Sequence, residues 1–234
     1  MAVCTAMRSF AVLFCLFILP AIAADAPPEF DASLLKEGRF IYRTTLGGEP
    51  LGEMALEIRR AGSHYRITMS APEIAQSWEA VVDRAFAPRS ARLGMRTRSG
   101  PYEMKLQYAN GAVNGEERRG DSIAPVKATL EGLVLDQRVD WAAVMALKSP
   151  PQGSFELQVF DPSTGSSRML GRIGGGQPLS GAWGEAPALR LDYSIHKVDH
   201  VEEYTVYATR DTPRYMLRED MPNGLVAELV RMEP

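Results

Sequence analysis

Apolar and polar positions alternate with a period of two along most of this 234-residue chain. One stretch does not. Between Asp136 and Ser149, the residues Val139, Trp141, Ala142, Ala143, Val144, Met145, Ala146 and Leu147 predict a helix over 137–148 with almost no polar face. A helix apolar all round must be covered on more than one side. Its neighbours read as strands, so the pattern predicts a curved sheet with one helix buried against it.

The strand pattern starts at 40–45, turns at Gly47-Gly48-Glu49-Pro50 and resumes at 51–59. There Met54, Leu56 and Ile58 alternate with Glu53, Ala55 and Glu57, the period of a half-buried strand. Tyr65, Ile67 and Met69 share a face of 64–69, and Trp78, Ala80 and Val82 share one of 77–86. Strands at 92–98, 102–108 and 113–119 follow, with Ala109-Asn110-Gly111 as a hairpin signal. Residues 120–127 read as a polar loop. After the helix, Pro150-Pro151-Gln152-Gly153 stops the chain, and strands are predicted at 155–160, 168–173, 189–196, 201–208, 214–219 and 225–232. Short turns between such strands mean antiparallel neighbours. The chain is mainly β, about ten strands in a meander, with no α/β alternation of the kind that builds parallel sheets. One β domain is predicted over 37–232, preceded by a flexible lead-in at 24–36.

Residues 1–23 change the picture by supplying an address. Arg8 precedes an apolar run, Pro20 breaks it, and Ala21-Ile22-Ala23 has the form of a cleavage site, the three parts of a secretory signal peptide cut after Ala23. The run falls short of the ~20 residues a membrane span needs, so no transmembrane segment is expected in the mature chain. Cys4 and Cys15 both lie in the removed segment. The mature protein then has no disulfide, no thiol nucleophile and no thiolate metal site, and a cysteine-free exported chain fits a Gram-negative periplasm. Losing Arg8 takes the net charge from −3 to −4. Basic residues cluster no further than Arg59-Arg60 and Arg118-Arg119, which argues against a nucleic-acid partner.

Four motifs in this order resemble DUF3108, a family of exported bacterial proteins of unknown function related in shape to lipoprotein-localisation carriers. They are Phe86-Ala87-Pro88, Val139-Asp140-Trp141 through Leu147, Gly153-Ser-Phe-Glu-Leu-Gln-Val-Phe-Asp161 and Tyr204-Thr-Val-Tyr-Ala-Thr-Arg-Asp211-Thr-Pro213. The resemblance covers most of 37–232. It implies an open half-barrel, a strongly curved antiparallel sheet with helix in its concavity. It implies no established activity and supplies no catalytic residues.

Motifs for chemistry are few. His196 and His200 would share a face of a helix and could bind a metal there, but on a strand they stand roughly 13 Å apart. A serine-hydrolase elbow is absent. Glu53, Glu57, Glu156, Glu202 and Glu203 alternate with apolar residues as solvent faces do. The glycines of 171–176 lack the Lys-Ser/Thr of a phosphate loop. The expectation is a protein that is not an enzyme and takes no cofactor.

What remains is apolar. Trp78, Trp141, Met145, Tyr193 and Tyr204 fall on the inner face of the sheet or on the helix, and are either core or the lining of a hydrophobic cleft. Methionine suits a surface that adapts to varied ligands. Two functions follow. One is a non-enzymatic periplasmic carrier or sensor that holds a lipid, acyl chain or other apolar ligand in the concave face. The other is a structural or interaction module of the envelope with a closed core and a protein partner. Full apolar coverage suits the helix as a permanent core or as a movable lid.

Overall fold

The computed structural model describes residues 28–148 and 154–233. The predicted signal peptide, its cleavage site and the stop at 150–153 lie outside the described residues. Strand β1 (Gly38–Leu46) turns into β2 (Glu49–Ala61) through Gly47 and Gly48, whose φ values of 59° and 90° are those a two-residue hairpin demands. The meander continues through β3 (His64–Ala71), β4 (Gln76–Asp83), β5 (Pro88–Thr97), β6 (Gly100–Ala109), β7 (Ala112–Arg119) and β8 (Ser122–Thr129). Each of these strands pairs antiparallel with the next.

After β9 (Val134–Asp136) comes a 3-10 turn, Gln137–Val139, and then the helix α1 (Asp140–Met145). A second meander runs through β10 (Ser154–Asp161), β11 (Gly165–Ile173), β12 (Gln177–Gly181), β13 (Gly184–His196), β14 (Val201–Thr209), β15 (Met216–Asp220) and β16 (Leu225–Glu233). The last strand returns to pair with the first, joining both meanders into one sixteen-stranded sheet with β8 and β9 at its ends. The sheet is strongly curved and does not close. Its concavity holds α1, and one continuous core runs from the inner faces of both meanders through the helix.

Three features differ from the sequence expectation. First, there are sixteen strands among the described residues, against an expected total of about ten and thirteen stretches marked as strands; the three unmarked ones are β8, β9 and β12. The stretch expected as a polar loop, 120–127, is mostly β8, an edge strand whose residues are exposed or half-buried and so carry no alternation to read. Strand β9 has only three residues, all buried, and β12 only five, too few for either to show a period; β9 pairs parallel with β10.

Second, the helix is shorter than 137–148. Asp136 accepts the Arg138 amide at 3.0 Å and starts a 3-10 turn, and Val139 at φ −120° separates that turn from α1. At the other end the carbonyls are taken by distant groups instead of a further turn. The Asp31 amide donates to Ala146, and the Arg214 guanidinium donates to Met145 and Leu147. All residues from 139 to 147 are buried, as their composition requires.

Third, the lead-in is packed where it is described. Phe30, Ala32 and Leu35 are core residues, and the backbone of 31–36 bonds to Ala146, Arg84 and Arg214. It straps the end of the helix to the sheet.

Candidate apolar cleft

The start of α1 and the turn before it do not fill the concavity completely. A cleft of about 270 Å³ remains between them and the inner faces of β2, β3, β4 and β14 to β16. Strand alternation supplies its walls, with Met54 and Leu56 from β2, Met69 from β3 and Trp78 from β4. Leu51 and Ile74 stand at positions left open to solvent, Ile74 half exposed. Opposite lie Trp141, whose indole N–H is already satisfied by the Arg138 carbonyl at 3.0 Å, and Tyr204.

Trp78, Trp141 and Tyr204, three of the five residues singled out from the sequence, therefore line one cleft. Tyr193 does not line it; its ring stacks on Tyr204 at 4.8 Å with planes 5° apart, supporting the wall from beside it. Met145 lies at 1% exposure in the packed core, away from the cleft. The two histidines sit at one hairpin. His200 bonds Asp199 and Glu202 at 2.6 and 3.2 Å, whereas His196 bonds Ser194 at 3.1 Å. Among the described residues no group of three or more His, Cys, Asp or Glu could hold a metal ion.

A polar cluster fixes the approach to the helix. The Tyr108 hydroxyl donates to the fully buried Asp136 carboxylate at 2.6 Å. Arg138 bonds the same carboxylate and stands 3.6 Å from Asp161. Burial and the neighbouring Asp136 charge push the Tyr108 hydroxyl far above its ordinary range, so it stays protonated and donates to Asp136.

Two further lining residues escaped the sequence reading: Asp140 and Glu219. Asp140 is 4% exposed and accepts one hydrogen bond, from the Trp141 amide at 2.6 Å. Burial lifts its carboxyl to about 7. Glu219, 6% exposed, is lifted to about 8 by burial and then by the charges of Asp140 and Asp220. Both had a signal. Asp140 is the one charged residue between 139 and 147, and Glu219 falls two positions after Leu217, on a face that should be apolar.

No helix among the described residues is long and apolar enough to cross a membrane. A search of curated proteins finds no match. Two solved structures are similar at low identity. A candidate lipoprotein from Parabacteroides distasonis is 8% identical, with 87% of this chain and 99% of that one covered at a TM-score of 0.35. An exported-protein candidate with a YmcC-like fold from Bacteroides fragilis is 9% identical, with 88% and 100% covered at a TM-score of 0.34. The sequence profile of DUF3108, a protein family of unknown function, matches residues 41–230, and the chain belongs to that family.

Proposed function

We propose that this chain is a non-enzymatic protein of the bacterial periplasm that holds a lipid, acyl chain or other apolar group in the cleft beside α1. The observation that carries this reading is a space of about 270 Å³ walled by Trp78, Trp141, Met54, Leu56 and Met69. Ligand sites are mostly apolar concavities with a few polar groups, and a fully packed core leaves no such space. The predicted signal peptide supports the location.

In this reading the helix is a fixed wall and not a lid. Asp136 and Arg138 hold its start, and Arg214 with the 31–36 strap holds its end, so the ligand enters between Trp141 and the β2–β4 wall. The alternative, an interaction module with a closed core, would carry no ligand and one protein partner. Mass spectrometry of an organic extract from gently purified protein separates the two. A stoichiometric apolar molecule is the expected result. A clean extract, with no binding of an apolar fluorescent probe, would overturn the proposal.

A further inference from the structure

Two carboxyls that the fold buries at the cleft, those of Glu219 and Asp140, are met by few of its own groups. Glu219 has no hydrogen-bond partner among the described residues, although it stands on the inner face of β15 where its pairing partners Val206 and Ala227 are core. Asp140 accepts from the amide of the next residue at 2.6 Å. The buried Tyr193 hydroxyl stands beside its carboxyl without reaching good hydrogen-bond geometry to it. Leaving a buried polar group unmet costs stability, and a leucine at either acidic position would serve the core better. A carboxyl kept at such a cost and facing an open cleft is suited to a ligand.

The surroundings select the charge of that ligand. Glu53 and Glu73 also line the cleft, and Glu53 is met by Arg231 at 3.0 Å. Arg138 is the cation of the lining; Asp136 and Asp161 meet its charge through the two terminal nitrogens, and its Nε–H is left without a partner. Among the described residues of the lining, four carboxyls face one guanidinium whose charge Asp136 and Asp161 already balance, so an anionic head such as a fatty carboxylate or a phosphate would meet a net negative wall. A cation would give both carboxyls charge-assisted hydrogen bonds, which are the stronger kind.

We infer that the cleft takes an apolar chain carrying an ammonium or guanidinium group, seated against the carboxyls of Glu219 and Asp140. This rests on the reading of the cleft as a ligand site and adds the chemistry of the head group. Burial raises both carboxyls toward the protonated form, and a seated cation favours the ionised form, the displaced proton passing to solvent.

The test compares dodecylamine, dodecanol and dodecanoate, below their micelle concentrations at mildly alkaline pH, read by the fluorescence of Trp78 and Trp141. Dodecylamine should bind roughly tenfold or more tightly than dodecanoate, with dodecanol between them. Glu219→Gln and Asp140→Asn should each shrink the ratio of dodecylamine to dodecanol affinity severalfold. Thermal unfolding confirms that each variant is folded, and if one is not, the other reads the same difference. Equal or tighter dodecanoate binding, or an amine preference that survives both substitutions, would overturn the inference while leaving the cleft as a site. Failure of all three chains to bind would overturn the cleft reading as well.

Discussion

The guanidinium of Arg214 donates from one nitrogen to the carbonyl of Met145 at 2.7 Å and to that of Leu147 at 2.9 Å. A residue of the segment between β14 and β15 thus closes the C-terminal end of a helix nearly seventy positions earlier in the chain. The last carbonyls of a helix have no partner within it, and these are buried where water cannot serve.

Arg214→Met should therefore destabilise the fold by about 2–4 kcal/mol, because two buried acceptors lose their donor. Chemical denaturation measures it. A loss under about 0.5 kcal/mol would show that the helix end is held by the 31–36 strap alone.

At the other end of the helix, Asp136→Asn leaves Arg138 buried beside a neutral amide. Removing one partner of a buried pair costs about 3–5 kcal/mol, whereas Tyr108→Phe should cost about 1–2 kcal/mol. The double substitution should cost less than the two single losses together, because both act on one cluster. Strict additivity in the same denaturation measurement would contradict that coupling.

Stability should fall as pH rises across neutrality. Asp140 and Glu219 move from ordinary values of 3.8 and 4.5 to about 7 and about 8 in the folded chain. The native state therefore binds more protons than the unfolded state in that interval. Their contribution is complete below about 4 and is lost as pH climbs through about 8. Asp31, held well below the usual carboxylate range by its hydrogen bond to Arg84, acts oppositely at acid pH, with a small effect because Arg84 is largely exposed. Glu219→Gln should flatten the decline. An unchanged slope in urea titrations across this range would refute the assignment.

Ile74 stands half exposed where the cleft meets solvent. Ile74→Arg should change stability by no more than about 0.5 kcal/mol, since it fills no core space. Binding of an apolar probe should weaken about fivefold or more, because the new cation occupies the mouth. Undiminished probe binding would place the ligand elsewhere.

Much of the architecture could be read from period-two alternation, because a sheet with one buried face writes that face into its sequence. Residues 191–195 show it clearly, with Leu191, Tyr193 and Ile195 all buried, whereas Leu189, expected on the same face, is half-buried beside the buried Ala188. Strand β8 shows the limit, since at this edge only Val126 and Ala128 reach the core and the first half of the strand is exposed on both faces. The helix was visible as a segment but not in its extent. Its apolar run continues to Leu147, whereas its hydrogen bonding ends at Ala146 because Asp31 and Arg214 take the carbonyls there. The cleft was legible as a set of aromatic residues. Its two acids were legible only as breaks in a pattern, and a break does not reveal what it faces.

Local pattern settled that the chain is mainly β, that its helix is buried and that its strands turn back on one another, because burial on one face imposes a period whatever the partner. Tertiary structure alone decided that β16 closes onto β1 and that Arg214 caps the helix. It alone set Trp78, Trp141, Asp140 and Glu219 around one opening. These relations join residues far apart in the chain, and a period of two or of 3.6 carries no information about distance across a fold.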